Sequence, residues 1–181
     1  MLNHKGTQIL TTARLTLRPF TADDANDMFT NWASDPEVTK YLTWPTHASV
    51  SVSKAVLADW VPHYAEPDYY HWAIVYEGYA IGSIAVVSHD DQVGKAHIGY
   101  ALSRKMWHKG VMSEALQAVM DFLFDEVGYN RLESRHDPRN PHSGGVMRKC
   151  GMKYEATLRQ SDWNNQGVCD ACWYALLKSE R

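Results

Sequence analysis

The feature that most constrains this 181-residue chain is a change of hydrophobic period near Leu102. Before it, Tyr69–Glu77, Ala80–Val87 and Lys95–Leu102 read as three successive strands, separated by Gly78 and by Asp90-Asp91-Gln92-Val93-Gly94. Those separations suit antiparallel hairpins. After it, Ala115, Leu116, Val119, Met120, Leu123 and Val127 recur at helical spacing, which predicts a helix over about Met112–Val127. The order then runs strand (Arg131–His136), helix (Pro141–Cys150), strand (Lys153–Arg159) and strand (Val168–Leu177). A meander followed by a βαβ-like half is an α+β pattern.

The N-terminal part adds one strand and two helices. Ala13–Arg18 alternates so that Leu15 and Leu17 share a face. Thr21-Ala22-Asp23-Asp24 reads as a helix cap, with Ala25, Met28, Phe29 and Trp32 on one stripe behind it. A second helix begins near Ser49, with Val52, Val56, Leu57, Trp60, Val61 and Tyr64 along one side. Between them Val38–His47 is an aromatic loop. No Gly/Ser/Pro-rich linker or repeat divides the chain, so residues 1–181 are read as one domain.

Composition narrows the function classes. Eighteen Lys+Arg against 21 Asp+Glu give a net charge of −3, which argues against a nucleic-acid partner held by bulk electrostatics. No apolar run approaches the ~20 residues that span a bilayer, and Met1–Thr12 has no apolar segment of the leader type. The expectation is a cytoplasmic protein with no membrane partner. Cys169-Asp170-Ala171-Cys172 has CxxC form, yet it falls in a strand, where an i, i+3 pair points to opposite faces; a redox or zinc role is disfavoured. The nine histidines form no metal-ligand pattern, so no metal is expected. Seven Trp and ten Tyr make the core, or a binding groove, unusually aromatic, with Trp32, Trp60 and Tyr100 on core faces and Tyr41, Trp44 and Trp163 as candidates for a rim.

Two loops carry candidate chemistry. Leu102–Ala115 joins a strand to the strongly patterned helix, which places unpaired N–H groups and the positive end of the helix dipole where an anion can sit. Gly110 permits close backbone approach or a positive φ, and Arg104, Lys105 and Lys109 add charge. Neither a GxxxxGK[ST] nor a GxGxxG motif is present. The second loop, Asp137-Pro138-Arg139-Asn140-Pro141-His142-Ser143, opens a helix with Asn140 and Pro141 as N-cap and first residue. Glu114 complements a helix dipole, and His71 and His97 lie on strand faces opposite the apolar sets, where an exposed or core-packed ring is favoured over one that borders a cleft.

Together these segments resemble the GNAT superfamily of N-acetyltransferases. Trp107-His108-Lys109-Gly110-Val111-Met112-Ser113-Glu114-Ala115 is similar to the W-G-x-G-x-x-x-E-A loop of the RimJ/RimL branch. Arg14-Leu15-x-Leu17-Arg18-Pro19, Asn130-Arg131-Leu132, Asn140-x-x-Ser143, Val146-Met147-x-Lys149-x-Gly151 and Glu155-x-x-Leu158-Arg159 follow in the same order. The resemblance implies a GNAT fold: a mixed, mostly antiparallel sheet of six to seven strands, about four helices, and a strand splay that accepts acyl-CoA. It implies acetyl-CoA as co-substrate, held by Leu102, His108, Lys109, Gly110, Val111, Met112, Ser113 and Asn140, and an amine acceptor bordered by Tyr41 and Trp44. It further implies Ser143 as acid and Asp162 as base, and is compatible with a homodimer. His108 stands where the branch has Gly, and Met112 puts a bulky residue where its loop packs around pyrophosphate. Gly144-Gly145 replaces a polar-Arg pair and lowers helix propensity by up to ~2 kcal/mol relative to two alanines. A non-catalytic acyl-CoA-binding module of the same fold is the alternative reading.

Overall fold

The structure is a computed structural model that describes residues 2–181. Its strands are β1 (Leu10–Thr11), β2 (Thr16–Arg18), β3 (His71–Tyr76), β4 (Tyr79–Asp90), β5 (Lys95–Leu102), β6 (Arg131–His136), β7 (Lys153–Asn164) and β8 (Gly167–Leu177). Its α-helices are α1 (Ala25–Met28), α2 (Pro36–Thr39), α3 (Val50–His63), α4 (Val111–Phe122) and α5 (Pro141–Lys149). The strands form one sheet in the order β1-β2-β3-β4-β5-β6-β8-β7. Pairing is antiparallel throughout except for the parallel β5–β6 junction. The α+β architecture expected from the sequence, a mixed and mostly antiparallel sheet, is thus present, with eight strands and five α-helices among the described residues in place of six to seven and about four.

The differences have local causes. β1 is two residues long and was invisible to periodicity; it pairs with β2 across a turn in which the Thr12 N–H donates to the Leu15 carbonyl. The first predicted helix continues from α1 into a π-helical turn, Phe29–Ala33. Asp35 then caps a separate short helix by accepting from the Glu37 N–H, with Pro36 at its first position. The β7–β8 hairpin is longer than predicted, so Asp162 lies in a strand opposite Cys169 and not in a loop.

Two apolar layers sandwich the sheet. Successive residues of a strand point to opposite faces, so Trp72, Ile74, Ile84 and Ile98 pack beneath α4 while Ala73, Ala80 and Ala101 meet Phe20, Met28, Trp32 and Leu57. The predicted stripe of α4 is buried as expected, including Ala115, Leu116, Val119 and Met120. Glycines set the closest approaches. A Cβ on Gly82 would overlap the Ala101 carbonyl oxygen across the β4–β5 pair, and one on Gly144 would overlap the His136 ring, whereas one on Gly145 would touch only the tip of Arg148 at 3.9 Å. The paired glycines that weaken α5 therefore have different causes: only Gly144 is demanded by packing. Gly82→Ala is expected to lower stability by about 1–3 kcal/mol and Gly145→Ala to raise it by about 0.5–1 kcal/mol. Urea-unfolding midpoints of the two variants should move in opposite directions.

Candidate active site

β5 and β6 run together for only three residue pairs, Lys95↔Arg131, Ala96↔Leu132 and His97↔Glu133. The Ser134 hydroxyl then donates to the Ile98 carbonyl at 2.7 Å, at the point where the strands part. Beyond it, β5 remains paired with β4 as far as Gly82↔Leu102, so Gly99–Leu102 offers its other edge to an opening. Backbone groups on such an edge are available to a ligand that lies alongside as an extra strand.

The opening leads into a cleft of about 570 Å³. Its lining includes Tyr41 and Leu42 from the aromatic loop, Tyr100 and Leu102 from β5, His108 and Gly110–Ser113 from the next loop and helix, and Asn140, His142, Ser143, Arg148 and Lys149 from the α5 side. Of the residues singled out in the sequence, Leu102, His108, Gly110, Val111, Met112, Ser113, Asn140, Ser143 and Tyr41 all reach this cleft.

The loop before α4 brings left-handed backbone, a helix N-terminus and two cations together. Its first part is a 3₁₀ turn, Arg104–Met106, after which the Trp107 indole N–H ties back to the Leu102 carbonyl at 3.0 Å. His108 (φ 60°) and Gly110 (φ 74°) are both left-handed. His108 adopts the backbone that glycine supplies more cheaply. α4 begins at Val111, and the first N–H groups of a helix have no intrahelical acceptor. A Cβ on Gly110 would lie 3.3 Å from Lys149 Nζ and 3.7 Å from an Arg14 guanidinium nitrogen. These two cations, remote in sequence, join the helix dipole there. Arg104, expected in this role, instead forms an ion pair with Asp35 at 2.9 Å. Lys109 is outside the lining; its carbonyl accepts from Arg14 at 3.0 Å. Met112 does not obstruct the loop, because its side chain turns into the core and is 5% exposed.

Glu114 does more than complement the dipole. It accepts from the Thr12 hydroxyl (2.6 Å), the Arg14 backbone N–H (2.9 Å) and Arg14 Nε (2.7 Å), which fastens the N-terminal turn to α4. Burial pushes its carboxyl up, but these bonds outweigh burial and the net shift is downward.

On the opposite wall, Asn140 precedes Pro141 as predicted, but its side chain makes no capping bond and remains free at the cleft. The Ser143 hydroxyl donates to the Tyr100 phenol at 3.2 Å, and that phenol donates to the Ser143 carbonyl at 3.0 Å. Tyr100 was expected only as core; the signal in the sequence was its phenol, since a buried hydroxyl needs a partner.

Asp162 and Trp44 do not line the cleft. Asp162 takes two bonds from Arg135, at 2.5 and 3.1 Å. Arg135 also donates to His97 Nε2 at 3.2 Å and lies over the Trp173 ring at 5.3 Å. Burial pushes the Asp162 carboxyl up, yet Arg135 and the Trp163 N–H hold it below its ordinary value. Burial, then the charge of Arg135, pulls His97 down to about 4, so it is a neutral packed ring. His71 is likewise buried, 4.1 Å from Trp60 ring to ring, and pulled down to about 3 by burial. Neither histidine borders the cleft. Trp44 packs against His47 and presents its carbonyl to Asn165 Nδ2 at 2.8 Å.

The β7–β8 hairpin tip fixes the cleft's outer rim. Asn165 donates through its backbone to Leu42 O at 3.0 Å and through its side chain to Thr39 O at 2.8 Å, while Asn164 donates to Asp137 Oδ2 at 2.8 Å. Side-chain and backbone bonds from Arg139 hold the Asp137 carboxyl far below its ordinary value against burial, and Arg139 lies 5.8 Å over Tyr41.

Comparison with known proteins adds to this geometry. The acetyltransferase (GNAT) domain family matches residues 14–153. The uncharacterized N-acetyltransferase p20 of Bacillus licheniformis is 31% identical over 96% of this chain and 98% of its own length. The uncharacterized N-acetyltransferase YoaA of Bacillus subtilis is 28% identical over 94% and 97%. Among solved structures, RimL, a ribosomal L7/L12 α-N-protein acetyltransferase in complex with coenzyme A, superposes with a TM-score of 0.84 at 19% identity, covering 94% of this chain and 98% of that one; at that identity the likeness is one of fold. An open β5 edge beside a left-handed glycine at a helix N-terminus, within a chain that matches the family over residues 14–153, places this protein in the GNAT acetyltransferase family.

Proposed function

We propose that this chain transfers the acetyl group of acetyl-CoA to a primary amine, either a peptide α-amine or a small-molecule amine, by direct attack within a ternary complex. The observation that carries this reading is the parting of β5 and β6 after His97, which opens Gly99–Leu102 onto a cleft ending at Gly110. When bound, acetyl-CoA supplies an activated acyl carbonyl and a thiolate leaving group. The Gly99–Leu102 edge would pair with the amides of its pantetheine arm. The first N–H groups of α4, with Lys149 and Arg14 beside Gly110, would take the pyrophosphate. His108, Ser113 and the uncapped Asn140 would contact the remainder, and a backbone N–H near Leu102 would polarise the carbonyl.

An α-amine of pKa ~8 is about a tenth neutral at pH 7, a deficit of ~1.4 kcal/mol, against ~4.6 kcal/mol for a lysine of pKa ~10.4. A weak base therefore serves the α-amine far better. Asp162, held ionised by Arg135, fits that role acting through water, since it lies outside the lining of the cleft. Ser143, in the first turn of α5 and inside the cleft, would donate to the leaving sulfur. Tyr41 would border the acceptor, steadied by the hairpin tip.

Incubation with acetyl-CoA and a panel of peptides and small amines should give acetylated product by mass spectrometry. Tight binding of acetyl-CoA with no product across the panel would instead favour the non-catalytic module. Asp162→Ala should lower kcat by about tenfold or more with acetyl-CoA affinity within twofold, measured by steady-state kinetics and calorimetry; unchanged kcat would remove Asp162 from the reaction.

A further inference from the structure

Resting on that reading of Ser143, we propose that Tyr100 is a positioning residue for Ser143, the two hydroxyls acting as one donor pair for the leaving sulfur. The pair is held from two sides of the cleft. Tyr100 rises from β5, the strand whose open edge faces the splay, and Ser143 from the first turn of α5. The phenol O–H is anchored on the Ser143 carbonyl at 3.0 Å, which turns the phenol's lone pairs toward the Ser143 hydroxyl, 3.2 Å away. The serine O–H is thereby directed at the phenol oxygen within the cleft. Among the described residues, the Tyr100 hydroxyl has no other hydrogen-bond partner.

The chemistry asks for such a pair. As the amine nitrogen forms its bond to the acyl carbon, the C–S bond breaks and its electron pair goes to sulfur; the proton lost by the amine goes to water and Asp162. The sulfur takes the Ser143 proton. A lone serine would be left as an alkoxide, a very strong base. With Tyr100 beside it, the phenol O–H turns from the carbonyl to the serine oxygen and returns a proton to it, and the phenol is reprotonated from solvent in the cleft. Burial holds the Tyr100 phenol above its ordinary value, so it stays protonated around the pH at which an α-amine becomes neutral. Tyr100→Phe keeps the ring and its packing and removes only this oxygen.

The test reads the sulfur directly and needs no acceptor. Coenzyme A bound to the protein is titrated with pH by the ultraviolet absorption of its thiolate. A donor pair at the sulfur stabilises the thiolate, so Tyr100→Phe and Ser143→Ala should each raise the apparent pKa of the bound thiol by about one unit, and the double variant should raise it no further than Ser143→Ala alone. Turnover should follow: about a tenfold loss in kcat for Tyr100→Phe with acetyl-CoA affinity within twofold, not compounded in the double variant. An unmoved thiol pKa and wild-type kcat in Tyr100→Phe, with Ser143→Ala impaired, would overturn the proposal and leave the Ser143 reading standing. Wild-type behaviour of Ser143→Ala would overturn both. Losses that multiply in the double variant would show that Tyr100 does not act through Ser143.

Discussion

Ser134 donates its hydroxyl to the Ile98 carbonyl, and with that bond the parallel β5–β6 ladder stops after three residue pairs. The cleft on which the proposed transfer rests opens at this interruption. A continuous ladder would satisfy the backbone of Gly99–Leu102 internally and leave no edge for a ligand to join. The two strands are nevertheless rigidly placed, because each has a long antiparallel neighbour on its far side: β4 for β5 and β8 for β6. The gap is held open by its flanks, and an open backbone edge survives inside a well-packed sheet.

Each wall of the gap carries a different task. On one, the loop that ends at Gly110 collects cations from distant parts of the chain, Arg14 from the N-terminal turn and Lys149 from the end of α5, around a helix N-terminus. Glu114 is the fastener that brings the N-terminal turn there. On the other wall, α5 presents Ser143 to Tyr100, and Gly144 lets the helix settle against His136. The β7–β8 hairpin then reaches across the mouth, where Asn165 donates to the carbonyls of Thr39, Leu42 and Trp44 and so ties the aromatic loop to the hairpin tip.

Much of the fold was legible because its signals are local. The stripe of α4, the hairpins of β3–β5 and the Asn140-Pro141 helix start follow from spacing and turn chemistry, and they lie where expected. Errors arose where side-chain partners decide. Arg104 and Arg14 are equally basic in the sequence, but only Arg14 reaches the helix N-terminus, because Asp35 takes Arg104. Met112 looked obstructive in a linear motif, yet the first turn of a helix directs its side chain inward. Asp162 looked like a loop residue because the hairpin bulges between Leu158 and Asp162, where Gln160 takes a left-handed φ of 49° that no periodicity announces.

The amino-acid sequence by itself determined the α+β class, the order of strands and helices after the break in period, and the two loops where chemistry gathers, since each rests on contacts between near neighbours. It did not determine which distant side chains meet. The pairing of Arg135 with Asp162, of Tyr100 with Ser143, and of Lys149 with Arg14 at Gly110 joins residues 27, 43 and 135 positions apart in the chain. Such pairings were decided only when the sheet brought its strands into register, because ion pairs and hydrogen bonds depend on distance in space and carry no period along the chain.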